Sequence, residues 1–127
     1  AGKYNSQNTA DESRLWWAHL RRAGFIAGAG TLQPFNAVTG VIGVQTGDGE
    51  ATIGPALSGL SSLIVCFAGL PDKMAISVDT QMDDGVPDKG GMRAQLHTAG
   101  PSPDLGATAA PSYAETGANV YTLCRPV

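Results

Sequence analysis

The feature that most constrains this chain is its longest apolar run, residues 63–68. The run is far shorter than the roughly 20 apolar residues that a membrane-spanning helix needs. Because it is apolar at every position, it is typical of a strand that is covered on both faces of a sheet. The sequence therefore predicts a central strand over residues 62–67 and no membrane span.

The rest of the composition indicates a small domain with long loops. The chain has 127 residues, of which 43% are hydrophobic, and this is enough for one globular domain over residues 1–127. Its 17 glycines and 8 prolines indicate that loops occupy much of the chain. Only 15% of the residues are charged, against roughly 25% in an average soluble domain. This composition favours a secreted or assembled protein over a cytosolic enzyme.

Charge and motifs exclude several function classes. The net charge of −3 argues against a nucleic-acid partner, which needs a clustered basic face. The sequence contains no G-x-S-x-G elbow, H-E-x-x-H motif, P-loop or dinucleotide fingerprint. His19 and His97 are isolated, and we interpret each as a packed or solvated side chain. We therefore expect no enzymatic activity, no catalytic residues and no cofactor.

Two helices are predicted. The first covers residues 11–23, begins at a capping box formed by Thr9 and Glu12, and ends at Gly24. Its predicted buried stripe consists of Leu15, Trp16, His19, Leu20 and Ala23. Arg14, Arg21 and Arg22 are predicted to lie away from that stripe. The second helix covers residues 72–82, with Pro71 in its first turn. Its predicted buried stripe consists of Met74, Ala75, Val78 and Met82.

Short strands and loops account for the remainder. Besides the central strand we expect strands at residues 92–96 and 119–125, and fragments at 38–44 and 51–53 with a turn at 47–49. Residues 98–118 are a low-complexity stretch that we interpret as more loop than core. The predicted fold class is α+β: a small antiparallel sheet of three or four strands, two short helices and long Gly/Pro-rich loops.

The two cysteines, Cys66 and Cys124, both lie in strand-like runs. Facing strands would bring them within reach of a disulfide, which an exported protein would form. We predict that bond. The alternative is two separate buried thiols that pack as small hydrophobic side chains.

An acidic constellation follows the second helix and consists of Asp79, Asp83, Asp84 and Asp88. Asp83, Asp84 and Asp88 surround Gly85 closely enough to be candidate Ca²⁺ ligands, although their spacing is not that of an EF-hand. The structural interpretation is that one carboxylate pairs with Arg93 or that the group caps backbone amides. We favour the structural interpretation and predict no metal.

Several segments resemble, in order, the globular head of bacterial type IV pilins and pseudopilins. Residues 16–26, WWAHLRRAGFI, are similar to a W-x-H-L-R-x-A-G-hydrophobic segment of that family. Four further segments of that family follow in order. They are a Gly-Leu-Pro helix start at residues 69–71, a Gln-Met-Asp-Asp-Gly helix end at 81–85, a Gly-x-x-Arg-Ala strand at 90–94 and a closing Tyr-Thr-Leu-Cys strand at 121–124.

The resemblance implies a structural subunit of a type IV pilus or of a pseudopilus-like filament. It would lie in an extracellular filament, on the cell surface or in the periplasm, and its partners would be other pilin subunits. We expect Leu15, Trp16, Leu20 and Arg93 to serve head packing and assembly. The alternative is a calcium-dependent extracellular binding or adhesion module, such as a minor pilin.

The long hydrophobic helix with which such pilins begin has no match in this sequence. We therefore expect that helix to have been removed by truncation or to be supplied by a separate short pilin. A sheet must cover its apolar face, and the two predicted helices cover only part of it. We predict an exposed apolar groove on one sheet face, which a partner's amphipathic helix fills.

Overall fold

The computed structural model describes residues 3–46, 56–97 and 104–127. In chain order the elements are α1 (Glu12–Arg22), β1 (Ile42–Thr46), β2 (Leu63–Pro71), α2 (Asp72–Met82), β3 (Arg93–Leu96) and β4 (Val120–Pro126). The strands form one antiparallel sheet in the order β1-β2-β4-β3. This confirms the predicted α+β class with a small sheet and two short helices. The expected turn at 47–49 and strand fragment at 51–53 lie outside the described residues.

β2 is central, as its apolar run predicts, because it pairs with both β1 and β4. It is longer than predicted, since the pairing with β4 continues to Pro71 beyond an irregularity between Phe67 and Leu70. Gly69, with a φ of +69°, lies inside this irregularity, where an L side chain would be strained. The extra residue turns Leu70 to the same sheet face as Phe67. No helix in the described ranges is long and apolar enough to span a membrane.

The disulfide joins the two central strands. Cys66 and Cys124 are directly opposite in the β2–β4 register, with their Cα atoms 4.1 Å apart, and the bond between them confirms the predicted pairing. We call the sheet face that carries them the disulfide face. The N-terminal segment and two loops cover it, and the buried cluster there consists of Tyr4, Ala56, Leu57, Leu60, Ile64, Cys66, Leu105, Ala109 and Cys124.

The opposite face of the sheet, which we call the helix face, carries α2. Phe67 and Leu123 are cross-strand partners there, and Ala75 of α2 is fully buried against them. The buried cluster on this face consists of Leu70, Ala75, Met92, Ala94, Tyr121 and Leu123. Phe67 itself is only half-buried, so α2 does not cover the whole helix face.

The predicted buried stripe of α1 is wrong. Leu15, Trp16 and Leu20 are half-buried, and His19 and Ala23 are exposed. The buried residues are Ser13, Arg14, Trp17 and Ala18. The observed stripe is shifted by two residues from the predicted one, which is roughly 200° of rotation and places nearly the opposite helix face inward. The neighbouring N-terminal segment helps to orient the helix, because Arg14 donates from Nη1 to the carbonyl of Ser6.

The two ends of α1 differ in how well the sequence predicts them. The expected capping box is wrong: Asp11 is the N-cap and makes no side-chain cap bond. Its carboxylate instead accepts hydrogen bonds from Ser6 and Asn8. The C-terminal end is as predicted, since Gly24 has a φ of +79° and donates to the carbonyl of Arg21. Phe25 donates to the carbonyl of Leu20, which completes a Schellman motif.

α2 has the predicted bounds, with Pro71 at the N-cap rather than in the first turn, but its predicted stripe is partly wrong. Ala75 is buried and Val78 half-buried, whereas Met74 is 41% exposed and Met82 57% exposed. The buried face is completed by two carboxylates, Asp72 and Asp79. Burial of these groups requires hydrogen-bond donors, and the loop that precedes β4 supplies several of them.

That loop belongs to the low-complexity stretch. Residues 104–118 form no helix or strand, as predicted, yet they contribute Leu105 and Ala109 to the core of the disulfide face. Ala110 donates to the carbonyl of Ala94 in β3, which holds the loop against the edge of the sheet. Residues 104–118 are therefore loop by conformation and partly core by burial, and residues 98–103 of the stretch lie outside the described residues.

Loss of the disulfide is expected to destabilise the protein strongly. The bond closes a loop between residues 58 positions apart, for which chain entropy gives roughly 4 kcal/mol of stabilisation. We expect Cys66→Ala combined with Cys124→Ala to lower the free energy of unfolding by up to that amount, as measured by urea denaturation. Reducing agent should destabilise the unmodified protein and leave the double variant unchanged. Equal denaturation midpoints for the two proteins would contradict this expectation.

Candidate functional site

A groove lies on the helix face between α2 and the sheet. Its volume is about 350 Å³ and its lining residues are Phe67, Leu70, Val78, Met82, Met92, Leu123 and Arg125. Every lining side chain except Arg125 is apolar. We call this surface the apolar groove. An apolar groove is therefore present on one sheet face, but Leu70, Met92 and Leu123 in its lining are buried, so the large exposed surface that was predicted is not found. The predicted occupant stays a prediction.

The apolar groove continues into a second hollow of about 300 Å³ near the end of α2. Met82, Met92 and Arg125 line both spaces, and Asp83 lines the second one. The groove is therefore apolar along most of its length and charged at one end. Met82 stands at the junction and is 57% exposed, so a partner could reach it directly.

The carboxylates after α2 cap backbone amides. Asp83 accepts a hydrogen bond at Oδ2 from the Met92 N–H at 2.8 Å. Asp84 accepts one at Oδ1 from the Val86 N–H at 2.9 Å. These contacts hold the turn in which Gly85 adopts a φ of +74°. This arrangement is one of the two structural interpretations that the sequence left open.

The other structural interpretation, an ion pair with Arg93, is wrong. Arg93 donates from Nε to the carbonyl of Gly90, and from Nη1 to the carbonyls of Leu57 and Ser58. The reason lies in the strand register: Arg93 is opposite Cys124, so its side chain starts on the disulfide face, whereas Asp83 and Asp84 follow α2 on the helix face. Among the described residues the one ion pair is Lys73 with Glu115, at 3.5 Å.

Three carboxylates lie close enough to share a cation, but they are not the predicted three. One oxygen from each of Asp79, Asp83 and Asp84 lies within 4.8 Å of the others, and Asp88 is outside this group. Ca²⁺ takes six to eight oxygen ligands, so three carboxylates would need help from carbonyls or water. Asp79 is buried, whereas Asp83 and Asp84 are exposed. Calcium binding therefore stays an alternative function for this turn.

Asp79 is fully buried and joins α2 to the loop that precedes β4. The Tyr113 hydroxyl donates to its Oδ2 at 2.5 Å, and the Gly85 N–H donates to its Oδ1 at 3.2 Å. Burial raises the pKa of the Asp79 carboxyl, and this outweighs the two hydrogen bonds, which lower it. Burial and the hydrogen bond to Asp79 also raise the pKa of Tyr113 far above its usual range.

Asp72 makes the second attachment of this loop. Its Oδ2 accepts the N–H groups of Thr116 and Gly117, each at 2.7 Å, and its Oδ1 accepts the N–H of Lys73. Burial acts to raise the pKa of Asp72, but these three backbone bonds outweigh it and the pKa is lowered. We call Asp72 and Asp79 together the carboxylate clamp.

Sequence reasoning missed the carboxylate clamp, although the sequence carries a signal for it. Asp72, Ala75 and Asp79 are spaced i, i+3, i+7, which places them on one face of a helix. The prediction used apolar residues alone to define the buried face, and it therefore placed Met74 and Met82 in the core and left out the two aspartates. The deeper reason is that the donors come from a loop more than thirty residues away in sequence.

The predicted assembly residues do not form one site. Trp16 lines a small hollow of about 100 Å³ together with Val44 and Leu63. Leu15 borders a separate hollow of about 410 Å³ at the C-terminal end of α1. Leu20 is half-buried in α1, and Arg93 begins on the disulfide face of the sheet. Their role in assembly stays a prediction.

The carboxylate clamp is expected to give two pH effects of opposite sign. The raised pKa of Asp79 means that stability falls as pH rises from about 4, the unfolded value, through the folded pKa. The free energy of unfolding of Asp79→Asn, compared with that of the unmodified protein, should therefore become more favourable as pH is raised. The measurement is the free energy of unfolding of both proteins between pH 3 and 7.

Asp72→Asn is the matched control, because the lowered pKa of Asp72 stabilises the fold above about pH 4 and this contribution is lost as pH falls through the folded pKa. Asp72→Asn should therefore lose stability relative to the unmodified protein as pH rises. The same sign for both variants would contradict the assigned directions.

Comparison with known proteins assigns this chain to no group. No protein-family model, no curated protein and no solved structure matches it. The function therefore has to be argued from the apolar groove, the acidic turn and the disulfide-linked sheet.

Proposed function

We propose that this chain is the globular head of a subunit in a type IV pilus or pseudopilus-like filament. The observation that carries the proposal is the apolar groove on the helix face, in which six of seven lining side chains are apolar. Leu70, Met92 and Leu123 are buried in it, whereas Phe67, Val78 and Met82 stay partly or largely exposed. Concave surfaces that are lined mainly by apolar side chains are common sites for a partner or ligand. An amphipathic helix that places side chains at i, i+3, i+4 and i+7 would fit an elongated apolar groove.

The placement of the pilin-like segments supports the same proposal. Residues 69–71 end β2 and lead directly into α2, and residues 81–85 contain the end of α2 and its closing turn. Residues 90–94 lead into β3, and residues 121–124 lie within β4. These segments therefore lie at the ends of β2 and α2, at the start of β3 and within β4.

The disulfide supports an extracellular or periplasmic location. Disulfides form and persist in oxidising compartments and are rare in the cytosol. Here the bond links the two central strands of the sheet and is fully buried, so it braces the element that carries the apolar groove. A head that is displayed on a filament would need this kind of stability outside the cell.

The alternative function is a calcium-dependent binding or adhesion module. It is favoured by the approach of the Asp79, Asp83 and Asp84 carboxylates to within 4.8 Å. It is opposed by the hydrogen bonds that Asp79 and Asp83 already make to Tyr113, Gly85 and Met92. A cation would have to displace some of these contacts or share their oxygens.

A designed amphipathic helical peptide is expected to bind the apolar groove. With Leu and Phe at i, i+3, i+4 and i+7, it should raise the melting temperature of the protein in a concentration-dependent way. Met82→Glu should abolish the increase, because Met82 lines the groove. Met74→Glu is the matched control: Met74 is an exposed methionine of the same helix that does not line the groove. No increase for the unmodified protein, or the same increase for Met82→Glu, would contradict groove binding.

Calcium titration separates the two candidate functions. If the acidic turn is structural, millimolar CaCl₂ should give neither binding heat in calorimetry nor a rise in melting temperature, and MgCl₂ at equal ionic strength serves as the control. A saturable rise that Asp84→Asn removes would favour the calcium-dependent module. Asp84 is the suitable position because it is exposed, so its substitution leaves the core intact.

A further inference from the structure

The central strand is fully covered on one face only. Along β2 half-buried and buried side chains alternate, as expected of a strand whose two faces have different surroundings. The buried Ile64 and Cys66 lie on the disulfide face. Leu63, Val65 and Phe67 lie on the helix face, and each is only half-buried. The incompletely covered part of the helix face therefore runs along β2 and is longer than the apolar groove.

This strip of the sheet joins two hollows. At one end Phe67 lines the apolar groove together with Met82 of α2. At the other end Leu63 lines the hollow of about 100 Å³ to which Trp16 of α1 contributes. Val65 lies between them on the same face of β2. The two hollows are therefore connected by apolar surface that has β2 as its floor, and we call this surface the sheet trough.

A cation lies on the floor of the sheet trough. Arg125 of β4 is opposite Val65 in the strand register, so both side chains start on the helix face. Arg125 is exposed, and its Nε donates to the carbonyl of Pro126 at 3.3 Å. Among the described residues no carboxylate lies within ion-pair distance of its guanidinium.

An acidic residue lines the adjoining hollow together with Arg125 but does not pair with it. That residue is Asp83, which follows α2. Its Oδ2 accepts the Met92 N–H at 2.8 Å, so this carboxylate closes the turn after the helix. Arg125 therefore presents an unpaired charge beside apolar side chains, where a lower local dielectric strengthens an ion pair.

We propose that the helix that occupies the sheet trough carries a carboxylate within its apolar stripe, and that this carboxylate pairs with Arg125. The inference rests on the proposed function, because it assigns the chemistry of the helix for which the apolar groove is the docking site. A purely apolar helix would cover Arg125 and leave its charge unpaired, which is strongly unfavourable. A carboxylate satisfies the guanidinium best, because it accepts two parallel hydrogen bonds from it.

The strand register predicts where this carboxylate stands. The Val65–Arg125 pair is two strand residues from the Phe67–Leu123 pair, which is a distance of about 7 Å. One turn of helix rises about 5.4 Å. In a helix that lies along β2, the acidic side chain is therefore about one turn from the apolar side chain that packs on Phe67. The ion pair gives the helix a defined position, which apolar contacts alone do not.

The test uses two labelled helical peptides that differ in one residue. Both have Leu or Phe at i, i+3, i+4 and i+11, and position i+7 is Glu in one and Lys in the other. Fluorescence anisotropy measures the dissociation constant of each peptide with the full chain. The Glu peptide should bind about tenfold more tightly than the Lys peptide, and raised salt should weaken this preference.

Variants of the protein assign the preference to one side chain. Arg125→Glu should reverse it, so that the Lys peptide binds more tightly. Arg125→Gln, which removes the charge without adding another, should bind both peptides equally and keeps the test valid if Arg125→Glu unfolds. Arg22→Glu is the matched control and should keep the preference for Glu, because Arg22 is an exposed residue that lines a different hollow.

The emission of Trp16 tests how far the helix extends. The chain has two tryptophans, of which Trp17 is buried and Trp16 half-buried. A peptide without tryptophan that fills the sheet trough should shift the emission to shorter wavelength, and Trp16→Phe should remove the shift. Binding without any change in emission would confine the helix to the apolar groove and contradict the sheet trough as its site.

The outcomes separate this inference from the proposed function. Equal affinity of the two peptides for the unmodified protein would overturn the ion pair and leave the groove as a docking site. A preference for Glu that survives in both Arg125 variants would do the same. If neither peptide binds the unmodified protein, the groove proposal itself fails, and this inference fails with it.

Discussion

The structure depends on the pairing of β2 with β4, which the Cys66–Cys124 bond makes covalent. These strands occupy the centre of the sheet, and both buried clusters are built on their two faces. Because the bond lies between neighbouring strands rather than at the surface, it fixes the register on which every side-chain position depends. The long loops can then be irregular without loss of the core, since their ends are attached to a sheet that cannot slip.

The second constraint is the carboxylate clamp, through which α2 organises the loop before β4. Asp72 orders the backbone at Thr116 and Gly117, and Asp79 holds the Tyr113 hydroxyl. A buried carboxylate without donors would cost several kcal/mol, so the loop and the helix are stable only together. The apolar groove is a consequence of this arrangement, because α2 turns its polar side inward and leaves Met82 beside an incompletely covered sheet.

The apolar groove combines two kinds of interaction. Most of its lining offers burial of hydrocarbon, which gives affinity without strong direction. At the end of α2 the adjoining hollow carries Asp83 and Arg125, and charged groups of this kind contribute orientation more than affinity.

Much of this architecture could be predicted from the sequence. The features that could not be predicted all depend on contacts between residues that are distant in the sequence. The apolar run gave the central strand, Gly24 and Pro71 marked helix ends, and the two cysteines in strand-like runs indicated their bond, because each of these signals acts through local geometry. The buried face of α1, the inward turn of Asp79 and the partners of Arg93 depended on tertiary contacts. The buried face of α1 carries a serine and an arginine, which a hydrophobic pattern does not select. A buried aspartate needs donors from a distant loop, and the face on which an arginine lies follows from strand register. Local sequence determines which elements form, and only the packed sheet decides which side of each element is buried.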